Sequence, residues 1–289
     1  MITITGATGA LNGATTAHLL DRLPASELTV VARDPVKAAH LADLGVAVRG
    51  GDYDDPESLR TAFAGADQLL LVSSNDPVGD TITQHRNAVD AAVAAGVGRV
   101  LYTSHQGAGA GSPFIPAQHH AATEDMLEAS GLRWTSLRNG FYAHSMQWML
   151  GPWQATGVVS VPANGPVSWT SRDDVAEAAA RILLREEPLD GPVTLTATEA
   201  PTFADLAQIA SEVSGTAVRF ELVDEQVWID RGIAAGQQEQ MLRFLLGMYQ
   251  AAEQGRFAGT DPLLRELLGR EPVTAREVLG GIIAATSAA

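Results

Sequence analysis

The amino-acid sequence predicts an α/β fold: a doubly wound parallel sheet followed by a smaller, less regular α+β lobe. Three observations carry that prediction. Short apolar runs alternate with Ala-rich stretches of helical length through the first 140 residues. A glycine-rich turn joins the first apolar run to the first helical stretch. After Gly140 the alternation gives way to shorter, less even pieces. Strands separated by helices of about 10–15 residues form βαβ units and a parallel sheet. Right-handed crossovers then wind that sheet on both faces.

The elements follow in order. Ile2–Thr5, Leu28–Ala32, Val46–Arg49, Gln68–Val72, Arg99–Thr103 and Trp134–Leu137 read as strands. Between them Leu11–Leu23, Pro35–Leu44, Pro56–Ala64, Thr81–Ala95 and Pro116–Ser130 read as helices. Asp55-Pro56 joins a capping side chain to a proline at the first helical position, while Gly96 and Gly131 end helices. Beyond Gly140, strand-like pieces fall near 157–161 and 165–169, and a helix starts around Ser171-Arg172-Asp173-Asp174. A strand (Val193–Thr196), a helix (Thr202–Ser214), a strand (Val218–Leu222) and further helices complete the chain. The expected division is a dinucleotide-binding domain over residues 1–150 and a substrate-covering lobe over 151–289, partly interleaved.

Composition narrows the chemistry. With 46% hydrophobic and 18% charged residues the chain is globular rather than disordered. Its net charge of −15 argues against contact with nucleic acid or an anionic membrane. No apolar run reaches the roughly 18 residues of a membrane span. The chain opens directly on a strand, without a basic and apolar leader, so a cytoplasmic location is expected. The absence of cysteine removes disulfides, thiolate nucleophiles and Cys-bound zinc. The seven histidines make no HExxH or other zinc spacing, and no metal is expected. There is no Gly-x-Ser-x-Gly elbow for hydrolase chemistry. Of 19 basic residues only Lys37 is a lysine, so it is the one candidate for any lysine-based chemistry.

The turn Thr5-Gly6-Ala7-Thr8-Gly9-Ala10-Leu11 lies between the first strand and the first helix, where a glycine pattern marks a dinucleotide site. Gly6 permits the tight turn, and Gly9 lets a pyrophosphate approach the helix amino end. Gly6, Thr8, Gly9, Ala10 and Leu11 are the residues offered to the cofactor. Asn12 stands where a third glycine would serve helix–strand packing, and Gly13 follows it. At the end of the second strand, Arg33 and Lys37 flank an Asp-Pro turn and suit a ribose 2′-phosphate. NADP(H) is therefore favoured, with Asp34 keeping NAD(H) open. Asp52 reads equally as a ligand of the adenine amino group and as a turn aspartate. Ser73 and Ser74 end the fourth strand, where backbone lines the cofactor.

The chain is similar to the NmrA-like branch of the atypical short-chain dehydrogenases, and within it to NADPH-dependent quinone oxidoreductases. The likeness rests on the Gly6–Gly9 turn, Arg33-Asp34-Pro35-x-Lys37, Gly51-Asp52, Asn87-x-x-Asp90-Ala91-Ala92 and Tyr102-Thr103-Ser104. It continues through Thr123-Glu124, Leu137-Arg138-Asn139-Gly140-x-Tyr142 and Ser171-Arg172-x-Asp174. The resemblance implies a Rossmann-type NADP(H) domain with a small C-terminal lobe and reduction of a quinone or related carbonyl. The branch also holds regulators that bind the dinucleotide without turnover and tailoring enzymes of aromatic polyketides.

The superfamily's usual Tyr-x-x-x-Lys pair is absent, because Lys37 lies outside any such motif. Reductases of the broader branch carry a lysine eleven residues before the glycine that ends this helix. Counting back from Gly131 gives His120, a candidate acid towards a carbonyl. His120 and Glu124 share a helical face, which allows a contact between them. Adjacent His119 points about 100° away around the helix. Ser104, at the end of the fifth strand, is the second catalytic candidate through its hydroxyl. His105, in the glycine-rich loop after it, is a candidate substrate contact. Five of the chain's aromatic residues fall between 141 and 169; Phe141 and Tyr142 are expected to line a flat apolar pocket, with the tryptophans left open. The leading expectation is an NADPH-dependent oxidoreductase acting on a quinone-like or aromatic carbonyl substrate. A non-catalytic NADP(H) sensor and a polyketide-tailoring oxygenase or reductase stand as alternatives. The expected partner is that small molecule, and self-association as a homodimer stays open.

Overall fold

A computed structural model describes residues 1–74 and 79–287. The chain forms β1 (Ile2–Thr5), α1 (Ala10–Leu20), β2 (Leu28–Ala32), α2 (Ala39–Asp43), β3 (Ala47–Gly50), α3 (Pro56–Ala62) and β4 (Gln68–Leu71). Next come α4 (Thr81–Ala94), β5 (Arg99–His105), α5 (Ile115–Ala129), β6 (Arg133–Asn139) and β7 (Phe141–Tyr142). Then follow α6 (Met146–Met149), α7 (Trp153–Thr156), β8 (Val158–Val161), β9 (Trp169–Thr170), α8 (Arg172–Leu183) and β10 (Gly191–Leu195). The chain closes with α9 (Phe203–Ser214), β11 (Arg219–Leu222), α10 (Glu225–Ala234), α11 (Glu239–Glu253), α12 (Leu263–Leu268) and α13 (Ala275–Ser287).

A seven-stranded sheet runs in the order β10-β6-β5-β4-β1-β2-β3. The pairs β1–β2, β1–β4, β2–β3 and β4–β5 are parallel, which confirms the doubly wound sheet. Burial on both faces explains why β1 and β2 are apolar or β-branched at every position. All four residues of β1 and all five of β2 are buried. The strand order reverses between β1 and β4, and such sheets bind ligands beside that point, at the carboxyl ends of the strands.

The residues divide into two compact units, each assembled from three stretches of chain. The first takes Met1–His105, His119–Arg138 and Val175–Val193; the second takes Gln106–Gln118, Asn139–Asp174 and Thr194–Ala289. In the first, Val31, Leu59, Leu69, Leu71, Val100, Tyr102 and Leu127 form one core between sheet and helices. In the second, β8 pairs with β11 and β7 with β9, around a core rich in aromatic rings. Phe141 meets Trp169, Phe257 and Phe114 at ring separations of 5.4–5.8 Å. Trp153 and Trp169 are buried in this core, whereas Trp148 is exposed.

Three expectations need correction. The helix expected over Pro35–Leu44 divides into a 3-10 turn, Pro35–Ala38, and the short α2. Asp34 caps the turn by accepting from the Val36 N–H, and Gly45 at φ +90° ends the helix. The strand expected near 165–169 shrinks to Trp169–Thr170. Pro166 has no ladder donor, and a Cβ at Gly165 would collide with the Ala252 carbonyl at 2.0 Å. His105, expected in a loop, is the last residue of β5.

Candidate active site

The turn after β1 is built for close approach. Gly6 has φ +66°, and a Cβ there would sit 2.6 Å from Val72 Cγ1. Gly9 caps α1 without any side-chain hydrogen bond, and no acidic residue stands in the first turn. The amides that open the helix therefore face no competing carboxylate, the condition an anion needs. Thr8, Gly9 and Ala10 are exposed and Leu11 is half-buried. Asn12 resolves the missing third glycine. It is 1% exposed, and its Nδ2 donates to the Thr5 carbonyl at 2.8 Å, pinning helix to strand. The close packing falls to Gly13, where a Cβ would stand 3.0 Å from the Ala7 oxygen.

Around this turn the strand ends are tied to one another. Tyr53 meets Thr5 Oγ1 at 2.8 Å and donates to the Val72 carbonyl at 2.8 Å, linking the ends of β1 and β4. Asp52 closes a tight turn, its Oδ1 accepting from the Asp54 N–H at 3.1 Å. Ser73 N–H donates to Thr103 Oγ1 at 2.8 Å. Ser74 N–H donates to His85 Nε2 at 2.7 Å, and Ser74 Oγ bonds Gln84. Because Nε2 accepts an amide proton, the ring carries its own proton on Nδ1 and gives it to Thr123 Oγ1 at 2.7 Å. Arg33 and Lys37 are exposed at the end of β2, and Asp34 is occupied by its cap.

A second group joins β5 to α5. Tyr102 and Ser104 are two apart on β5 and share one face; His120 and Glu124 are four apart on α5 and share another. The two pairs meet rung by rung. Tyr102 Oη lies 2.8 Å from His120 Nδ1, and Ser104 Oγ donates to Glu124 Oε1 at 2.8 Å. The helix face allows a His120–Glu124 contact, but the carboxylate is engaged elsewhere. Buried Glu124 instead accepts from Ser104, Ser136 and the guanidinium of Arg138. That bidentate bond raises the Arg138 pKa. His105 lies over His120 with ring centres 6.2 Å apart, and His85 meets Tyr102 edge-on at 5.6 Å.

Burial sets the proton inventory. It raises the Tyr102 pKa, so the hydroxyl keeps its proton. It pulls His120 well below the ordinary histidine value, with His105, His85 and His119 adding like-charge repulsion. Burial and the neighbouring rings therefore favour the neutral form of His120. Where the Tyr102 hydroxyl donates to Nδ1, the His120 proton resides on Nε2. Tyr102 and His85 were not singled out from sequence. The usable signal was the match between a two-residue period on the strand and a four-residue period on the helix.

In the second unit, Phe141 and Tyr142 are both half-buried. Tyr142 accepts from Asn139 Nδ2 at 3.1 Å, and burial raises its pKa to about 12. Among the described residues no cluster of His, Cys, Asp and Glu could hold a metal, and no helix is long and apolar enough to cross a membrane.

The buried rings predict how stability depends on pH. Burial lowers His85 and His105 to about 4, against about 6.5 unfolded. Between those values the unfolded chain binds more protons. Stability is therefore full above pH 6.5 and lost as the pH falls towards 4. Urea midpoints measured across that range are expected to fall on acidification; midpoints that rise would contradict neutral, buried rings.

The NmrA-like family model matches residues 1–266. Quinone oxidoreductase 2 of Escherichia coli is 34% identical over 279 residues, 96% of this chain and 96% of that protein. The crystal structure of the NADPH-dependent quinone oxidoreductase from E. coli, complexed with NADPH, matches with a TM-score of 0.89 at 33% identity, covering 98% of this chain and 100% of that one. Triphenylmethane reductase of Citrobacter sp., complexed with NADP(H), matches with a TM-score of 0.87 at 34% identity, covering 97% and 99% of the two chains. This chain belongs to the NmrA-like family and is an NAD(P)H-dependent oxidoreductase.

Proposed function

We propose that this protein reduces a quinone-like or aromatic carbonyl substrate at the expense of NADPH, with His120 as the hydrogen-bond donor to the substrate oxygen. The observation that carries this reading is the Tyr102–His120 hydrogen bond. It supports a neutral imidazole with its proton on Nε2, a donor suited to an oxygen on which negative charge builds. Tyr102 is a positioning residue: it holds the ring in this tautomer. The Ser104 hydroxyl donates its hydrogen bond to Glu124, and its lone pairs stay available to accept.

The chain's residues fit the cofactor. The uncapped amino end of α1, with Gly6, Thr8, Gly9, Ala10 and Leu11, would take the pyrophosphate. Arg33 and Lys37 would take a 2′-phosphate, which favours NADP(H) over NAD(H), while Asp34 is engaged by its own turn. Asp52 is assigned to the adenine, and Ser73 and Ser74 to the strand end beside the cofactor. When bound, the nicotinamide supplies a hydride. From their sequence positions, His105 is assigned as a contact of a flat aromatic substrate, and Phe141 and Tyr142 as apolar groups of the second unit suited to one; relatives are named for quinone and triphenylmethane reduction.

Anaerobic rates with NADPH and a simple quinone, an aromatic ketone and a triphenylmethane dye test this assignment. The quinone is expected to give the highest kcat/KM. Reduction of the dye alone would overturn the carbonyl reading. Tyr102→Phe is expected to lower kcat about ten-fold, the worth of one hydrogen bond, with its melting temperature retained. Because burial holds the ring neutral with or without the hydroxyl, the loss is expected in kcat, with KM and the pH profile as in wild type. An unchanged kcat, or a loss confined to KM, would remove Tyr102 from its positioning role.

A further inference from the structure

An open depression of about 290 Å³ lies on the first unit, at the amino ends of the strands, away from the carboxyl ends that carry the candidate active site. Gln68, Arg99 and Arg133 are the first residues of β4, β5 and β6, and Arg185 follows α8; all four line it, with Asp67 beside them. In a chain of net charge −15 this is a concentration of three guanidinium groups.

Their countercharge is thin. Arg99 is 6% exposed and so almost fully desolvated. Its Nη2 is held by Thr135 and the Leu189 carbonyl. Its Nη1 is ion-paired with Asp190 Oδ1 at 3.2 Å. Asp190 also serves Arg133 at 3.6 Å and is itself 63% exposed. Asp67 is taken by the Met1 ammonium at 2.6 Å. Burial lowers the Arg99 pKa, and Arg133 lowers it further against the opposing pull of Asp190. One exposed carboxylate, Asp190, is thus shared by Arg99 and Arg133, and Arg185 Nε donates to the Glu187 carbonyl, so three guanidinium groups leave room for a further anion.

We propose that this depression is a second ligand site, which takes a small phosphate-bearing anion through Arg99, Arg133 and Arg185. Guanidinium groups match phosphate oxygens in pairs. Ile182 and Pro188 give the depression an apolar wall, so a phosphate monoester fits it as well as free phosphate.

Calorimetric titration of the full chain saturated with NADP⁺ tests the proposal, since the cofactor occupies the other phosphate site. Inorganic phosphate is one probe and phenyl phosphate the other, each against chloride at equal ionic strength. Saturable binding is expected. Stronger binding of the ester identifies an organic phosphate as the ligand, and equal binding identifies free phosphate. The double variant Arg133→Glu/Arg185→Glu alters two exposed side chains. It is expected to weaken binding at least about ten-fold and to leave NADPH turnover unchanged. An absence of saturable binding, or equal binding by the variant, means an adventitious ion only and overturns the site.

Discussion

Replacing His120 with alanine is expected to lower kcat for quinone reduction about 100-fold, the lower range for loss of a positioned proton donor, with NADPH affinity unchanged. The substitution removes the Nε2–H and leaves the buried Tyr102 hydroxyl without its acceptor. Glutamine at this position supplies a neutral N–H and is expected to restore part of the rate. Because burial holds His120 neutral, the wild-type rate should show no histidine titration near pH 6.5. Full activity in His120→Ala would remove the residue from the chemistry. A rate that follows an ionisation near 6.5 would contradict the neutral donor.

The second large effect concerns cofactor choice. Arg33→Ala and Lys37→Ala are each expected to reduce the NADPH over NADH preference about ten-fold, near the lower limit for a charged hydrogen bond at an exposed site. The double variant should combine both losses if, as proposed, each cation meets the 2′-phosphate and neither helps bind NADH. Asp34 cannot readily switch to the ribose, since its carboxylate caps the Val36 N–H. An unchanged ratio in Lys37→Ala would return the chain's single lysine to the status of a surface charge.

Much of the first unit was legible because its strands are buried on both faces. Ile2–Thr5 and Leu28–Ala32 are apolar or β-branched throughout, and both form as read. The glycine turn was legible for the same local reason: strand, turn and helix are contiguous. What Asn12 does was not legible. Its packing and its bond to Thr5 depend on how helix meets strand, and Gly13 supplies the close approach instead. The Tyr102–His120 bond joins residues 18 apart on different elements, so no local pattern announces it. Glu124 was visible as a helical neighbour of His120, but Ser104, Ser136 and Arg138 decide where it points. Short β7 and β9 escape periodicity because two residues hold no period.

The lone lysine locates the central question. Without a Tyr-Lys pair, this account has the enzyme turn over NADPH through His120. Anaerobic mixing of NADPH with one equivalent of a simple quinone tests that claim most directly. The account predicts one NADP⁺ formed for each hydroquinone. NADPH that stays bound and unoxidised, or that is consumed only when oxygen is admitted, would contradict it.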